Sequence, residues 1–484
     1  MDNRRQNTTD EQDILQLTLD SKKIRKILKT DSGNNWISYS LSIPEVDPLA
    51  YIEHYSDTPD LFYWEQPQNE FAIAAGGSLV TLKATGSNRF TEINDQSKLL
   101  KRKILSISEH DHQVTEPVLV GGYSFSDHNI HKSWKNFGAS HFTLPEWLIL
   151  KTGKKSILMI TVPLKDRNHT SIIENLESVL NQFISVFQSI KAYKTPNSKD
   201  KVPDSDLLQT ESSFSDWNEQ VNKSKKLIAN GTFQKIVLAR QVNVEAEKRI
   251  PIPRVMYFLR QQFPECFNFM IKVDQGPSFI GATPERLVSL KRNLMMTDGL
   301  AGSISRGESA SEDMALGHIL MASKKDRSEH EFVVKDIRNN LKRNRVNAEY
   351  PRKPGIKKLS NVQHLYTPIS AKVTEEISVH ELAEMLHPTP AVGGFPKDDA
   401  VPYINEIEKI DRGWYAGPVG WYNMNGSGEF AVAIRSAWIM NSSARLFAGC
   451  GIVKNSKPSK EWTETEMKLS PILDALKLAT KSRS

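Results

Sequence analysis

Cysteine is scarce in these 484 residues: Cys266 and Cys450 stand far apart, in no zinc or redox spacing. That excludes a disulfide scaffold and a thiolate metal centre, and it suits reduced thiols in a cytoplasmic protein. No apolar run approaches the roughly 20 residues that a membrane span requires, so no membrane partner is expected. The opening MDNRRQNTTDEQDILQ is polar and carries both signs of charge, unlike a secretory h-region or a transit peptide. Net charge is small, +6, and calls for no nucleic acid. The basic stretch LKRNRVNAEYPRKPGIKK (341 to 358) has seven Lys or Arg against one Glu, but Tyr350 is its lone aromatic. Base stacking wants aromatics interleaved with cations, so a solvated loop is the expectation, and a basic-segment binding protein is the non-enzymatic rival. No solenoid-length repeat, low-complexity tract or HExxH is present. The Gly449-x-Gly451 pair has neither a third glycine nor Gly-Lys-Ser after it, which excludes dinucleotide and P-loop sites.

What is present is ordinary globular material, 39% hydrophobic and 25% charged. The polar, Pro- and Ser-containing tract 193 to 216 reads as a linker or long surface loop between halves of different texture. It sets an N-terminal α/β portion, 1–205, packed on a catalytic portion, 210–484. In the first half, FAIAAGGSLVTLKA and KKSILMITVPL read as strands, and TSIIENLESVLNQFISVFQSI has helical periodicity. In the second, QKIVLARQVNV, PSFIGATPERLVSL, EFAVAIRSAWIM and RLFAGCGIV read as strands, with Asn425-Gly426 as a hairpin turn. Helices are expected over 216–230, over 309–343 with Ser309 and Glu312 in capping-box spacing, and at the C-terminus. The texture is α+β and rich in sheet.

The chemistry-bearing residues gather in the second half. EWTETEMK (461 to 468) puts Glu461, Glu464 and Lys468 on one helical face and Glu466 off it. Asp326 and Glu329 form a second i, i+3 carboxylate pair, on the 309–343 helix. Two such pairs on different helices suit a shared hard cation such as Mg²⁺, while salt bridges to neighbouring lysines and arginines are the plainer reading. His330, His364 and His387 have no zinc spacing. Strand alternation places Arg435 among Ala431, Ala433 and Ala437, leaving room over its guanidinium for bidentate carboxylate capture, with internal ion pairing as the alternative. The backbone at Gly449 and Gly451 is open to an anion. Lys235 shares a strand face with Phe233, Val237 and Ala239. Held on that face it would be pushed below the usual lysine range, towards general-base use, although most strand lysines snorkel. Glu285, in the turn GATPERL, is the complementary acid, or else a carboxylate paired with Arg286.

Seven blocks, DGLAGSISRG, KDRSEHEFVV, VQHLYTPI, LHPTPAVGGFP, RGWYAGPVGW, GEFAVAIRSA and AGCGIVKNSKPSKEWTETEMKL, resemble in order and spacing the chorismate-utilising enzymes. That family includes isochorismate synthases, salicylate synthases and the large chains of anthranilate and aminodeoxychorismate synthases. The resemblance covers about 215 to 480 strongly and the first half only through FYWEQP (62 to 67). It implies a two-layer α/β fold, of mostly antiparallel sheets flanked by helices with the site between them. It further implies that Glu329 and Glu464 bind Mg²⁺, with Asp326 and Glu461 supporting. Arg435, Tyr415 and the backbone near Gly449 would hold the enolpyruvyl carboxylate of chorismate, and Gly302, Ala391 and Lys468 would line the pocket.

Lysine at 235, where anthranilate synthases look to carry glutamine, and AVGGFP rather than GTLSGAP imply a water nucleophile and no glutaminase subunit. Lys235 would activate water for attack at ring C2, and Glu285 would protonate the departing C4 hydroxyl. Salicylate synthases tend to have threonine where Ala391 stands, so the resemblance favours stopping at isochorismate. The long first half with FYWEQP looks more like menaquinone-pathway than siderophore-pathway synthases.

Overall fold

A computed structural model describes residues 14–481 apart from 15, 32, 110–115, 128–131, 165–167, 191–206 and 212. The expected linker falls largely outside these residues. Part of its end is not loop, since Leu208–Glu211 is a strand paired with Val242–Glu245, and the next helix starts at Phe214.

The strands form two sheets. One runs Leu208–Glu211, Lys235–Glu245, Ser443–Ile452, Ser436–Met440, Ser278–Thr283, Phe267–Lys272, Leu61–Gln66, Phe71–Gly76, Trp147–Thr152, Lys155–Pro163, Trp36–Ile43, Ile104–Ser108. The other runs Gly355–Lys358, Val362–Lys372, Leu294–Ser305, Arg286–Lys291, Gly428–Val432, Pro418–Asn423, Val118–Tyr123, Ser140–Leu144, Val80–Leu82. Trp36–Ile43 pairs in parallel with Ile104–Ser108, and the other ladders named are antiparallel, so the structure is α+β as expected. Both sheets draw strands from both halves of the chain, so 1–205 and 210–484 share their hydrogen-bonded ladders.

Apolar residues on both faces explain why the central strands read as unbroken hydrophobic runs. In Leu61-Phe62-Tyr63-Trp64, Phe62 and Trp64 point into the core between the sheets, beside Phe142, Phe269 and Phe430. Leu61 and Tyr63 face the opposite way, onto a layer built from helices Ile252–Gln262 and Pro458–Thr480. A third cluster packs helix His169–Ile190 on Tyr39, Leu158 and Ile160.

Several elements differ from expectation. FAIAAGGSLVTLKA, PSFIGATPERLVSL and EFAVAIRSAWIM each divide between the two sheets. The alternation drawn through Arg435 therefore fails: Ala433, Ile434 and Arg435 form the crossing, and Arg435 takes φ 51°. The 309–343 helix is two helices, Ala310–Ala322 and Lys324–Arg343. Ser323 interrupts them because its Oγ accepts from Asp326 N at 3.3 Å, which caps the second helix. Ser309 caps the first, but Glu312 returns to Glu308 N and not to Ser309. The C-terminal helix runs unbroken from Pro458 to Thr480 with Pro471 inside it, so 461 to 468 is helical in its own right. The basic stretch ends in the edge strand Gly355–Lys358, with Lys358 paired to Asp313 at 2.8 Å.

Candidate active site

Where the chain passes from one sheet to the other it leaves a cleft of about 920 Å³, mouth included. Two crossings supply polar side chains. Pro284 has no N–H to give a ladder, so the run from Ser278 to Lys291 breaks there, and Glu285 sits at the break lining the cleft. Arg435 occupies the second crossing, buried and lining the same cleft. Its guanidinium makes no ion pair among the described residues, so the internal-pairing alternative does not hold. A third irregularity, the bulge at Gly302 (φ 76°), lets strand Leu294–Ser305 approach the helix of Asp326. A Cβ at Gly302 would lie 3.0 Å from that of Asp326.

Helices Lys324–Arg343 and Pro458–Thr480 bring the two carboxylate pairs to one wall. Asp326, Glu329 and Glu464 line the cleft. Glu461 is buried beside them, bridged to Lys325 at 3.6 Å. Desolvation raises the Glu461 carboxyl above the usual range despite Lys325. Burial acts to raise Glu464, but Lys468 at 2.6 Å, with Lys325 and Lys235, more than offsets it and holds Glu464 below the usual range. Glu466 is exposed and accepts from Trp462 Nε1, off the shared face as expected.

Lys235 is fully buried and its Nζ donates to Glu329 Oε1 at 2.8 Å. It does not line the cleft, and neither does Glu461; every other expected site residue does. Gly451 lies over the Lys235–Glu329 pair, where a Cβ would fall 2.6 Å from Lys235 Cε and 2.9 Å from Glu329 Oε1. Lys468 also donates to the Gly449 carbonyl at 2.9 Å. Tyr415 stacks on Phe447 at 5.3 Å, its hydroxyl near Gly449, and burial pushes the phenol up to about 12. Glu285 is enclosed, and desolvation raises its carboxyl to about 7 against a hydrogen bond from Thr389 Oγ1 at 3.4 Å.

His364 and Arg412 are among the cleft residues not singled out from the sequence as site residues. His364 appeared there only as a histidine without zinc spacing. Burial holds its imidazole down to about 3, Ser303 Oγ meets its Nδ1 at 2.8 Å, and its Nε2 has no hydrogen-bond partner among the described residues. The block VQHLYTPI that contains it was the available signal. Arg412, inside RGWYAGPVGW, donates to Glu408 at 2.5 Å and to the carbonyls of Val392 at 2.8 Å and Val237 at 2.9 Å. Glu408 in turn accepts from Ala239 N at 2.7 Å. That pair ties the Ala391 loop to the strand of Lys235.

The acidic wall offers carboxylate oxygen and neither imidazole nor thiolate, a donor set that fits a hard cation such as Mg²⁺. Among the described residues no three acidic, histidine or cysteine side chains are gathered as a ready ligand cage; Glu329 and Glu464 are turned to lysines.

Comparison with known proteins agrees with this geometry. The chorismate binding enzyme family model matches residues 22–477. The isochorismate synthase MenF of Bacillus subtilis is 34% identical over 449 residues, 91% of this chain and 93% of that protein. The salicylate biosynthesis isochorismate synthase of Pseudomonas aeruginosa is 34% identical over 445 residues, 91% of this chain and 90% of that protein. The solved structure of MenF, the menaquinone-specific isochorismate synthase from Escherichia coli, superposes with a TM-score of 0.75 at 24% identity, covering 94% of this chain and 98% of that one. A match across nearly the whole chain, over a fold that brings the acidic wall, Arg435 and Glu285 to one cleft, means that this protein belongs to the chorismate binding enzyme family.

Proposed function

We propose that the protein is an isochorismate synthase, converting chorismate to isochorismate by adding water at C2 and losing the C4 hydroxyl. The observation that carries this reading is Glu285: a buried carboxyl raised to about 7 holds a proton near neutral pH and can deliver it to a departing hydroxyl. Lys235 is the base for the attacking water: its resting ammonium is paired with Glu329, which stands between it and the cleft, and it acts only after losing a proton to become the neutral amine. Arg435, which makes no ion pair among the described residues, receives the enolpyruvyl carboxylate with Tyr415 and the Gly449 backbone beside it. Ala391 and Gly302 keep the cleft open at the ring, and Lys468 balances Glu464.

Glu329 and Glu464 would hold Mg²⁺, with Asp326 and Glu461 supporting, and the metal would supply positive charge for the second substrate carboxylate. Lys325 and Lys468 offset the remaining negative charge of that wall. The relatives named MenF support a place in menaquinone synthesis, and the cytoplasm is the compartment proposed for it.

The deciding experiment is incubation with chorismate and Mg²⁺ while isochorismate, salicylate and pyruvate are followed together. Isochorismate with little pyruvate is expected. Stoichiometric salicylate and pyruvate would replace this reading by a salicylate synthase, and no turnover with Mg²⁺ present would remove the enzyme reading.

A further inference from the structure

Behind Glu285 lies a polar network that the mechanism does not use and that reaches into the first half of the chain. Lys357, on the edge strand Gly355–Lys358, donates to the Pro284 carbonyl at 2.9 Å, one peptide from Glu285. The same ammonium stands 3.5 Å from Asp298 Oδ2. Asp298 Oδ1 meets Arg286 Nη1 at 3.5 Å and the Tyr366 hydroxyl at 3.3 Å. Arg286 Nε donates to Glu429 Oε1 at 2.8 Å. Glu429 also accepts from Gln66, which belongs to FYWEQP, and Gln66 accepts from Asn69 at 2.7 Å. Gln66, Asp298 and Glu429 are buried.

The charges in this network balance: Lys357 and Arg286 against Asp298 and Glu429. On the other sides of Glu285 the cations are committed too, Lys235 to Glu329 and Arg412 to Glu408. Thr389 supplies one neutral hydrogen bond. The nearest charges acting on Glu285 are Asp298, Lys235 and Lys357. Farther round the cleft stand Lys325, Asp326, Glu329, Arg435, Glu464 and Lys468, with neutral His364. An ionised Glu285 would thus be a negative charge without a partner of its own, on a residue only 4% exposed.

We propose that Lys357, Asp298 and Arg286, backed by Glu429 and Gln66, are positioning residues that hold the Pro284–Glu285 turn and set the charge around Glu285, Asp298 favouring its proton-bearing form and Lys357 opposing it. This rests on Glu285 being the acid of the proposed reaction. It gives the 341 to 358 basic stretch and the FYWEQP motif a shared task. The first half then contributes to the chemistry without entering the cleft.

The test is the pH profile of kcat on chorismate for the full chain, whose basic limb reports the acid in the bound complex. Lys357→Met removes a positive charge and should move that limb up by about 0.5 to 1 unit. Asp298→Asn removes a negative charge and should move it down by a similar amount. In both, kcat falls while KM stays near the starting value, and Lys357→Arg, which keeps the charge, restores the profile. A merely structural role predicts shifts of one sign or none, and either result overturns the proposal. Should Asp298→Asn fail to fold, Lys357→Met alone decides by the sign of its shift. Glu285→Gln separates the two levels. If it stays active, the acid assignment fails; if it is inactive while both charge variants keep an unmoved limb, the positioning proposal fails and the assignment stands.

Discussion

At Glu285, desolvation is opposed by Thr389, Lys235 and Lys357, and the carboxyl settles at about 7, above the 4.5 of an ordinary glutamate. Because the folded state binds the proton more tightly than the unfolded chain, the stability cost of this group is absent below pH 4.5. It grows as pH rises through that interval and is complete above about 7. The full cost is on the order of 3 kcal/mol. Glu285→Gln should therefore lose turnover by a factor of about 10² or more yet unfold at higher denaturant at pH 8 than the parent, with little difference at pH 4.5. A variant less stable at pH 8 would contradict the buried, near-neutral carboxyl. Gly451→Ala makes a second test. Its Cβ would strike the ends of Lys235 and Glu329, flexible groups that can move aside. Folding should survive, while kcat drops about tenfold or more because the ion pair is displaced; unchanged kcat would argue against a role for that pair.

The elements that carry the site are bounded by features of differing legibility. Pro284 is a visible strand breaker, so Glu285 could be read as a turn residue. The crossing at Ala433-Ile434-Arg435 has no such mark, and period-2 alternation ran straight through it. Apolar periodicity also ran through Ser323, yet Ser323 three residues before Asp326 has the spacing of its neighbour cap at Ser309. Ser323→Ala should lower stability by about 1 kcal/mol, read by denaturant unfolding, and should weaken Mg²⁺ activation by loosening the first turn, where Asp326 sits. Full activation by Mg²⁺ at the parent's concentration would detach Asp326 from the metal's support. In the other direction, Pro471 is a helix breaker by type, yet the helix continues through it. Burial of Ile472, Leu476 and Ala479 against the first sheet outweighs the one backbone hydrogen bond that proline removes.

Across the whole molecule, strand Phe267–Lys272 pairs with Leu61–Gln66, and Pro418–Asn423 pairs with Val118–Tyr123. Residues 210–484 expressed alone would expose two unpaired ladder edges and the apolar faces around Phe269 and Phe430. That fragment should be insoluble or unfolded, and a soluble fragment with activity on chorismate would show that the first half is dispensable. Residue order alone was enough to set the donor chemistry: carboxylates one helical turn apart, an arginine among small residues and glycines at a strand end are local patterns. Their motifs in series were enough for the family. The packing of the two sheets was needed for the rest. It turned Arg435 into the cleft, with no ion pair to it among the described residues, and enclosed Glu285. It also set Lys235 against Glu329, 94 residues away, and joined Gln66 to the turn of the acid. Such pairings depend on where separate strands meet, and no periodicity within one segment can encode the neighbour that another segment brings.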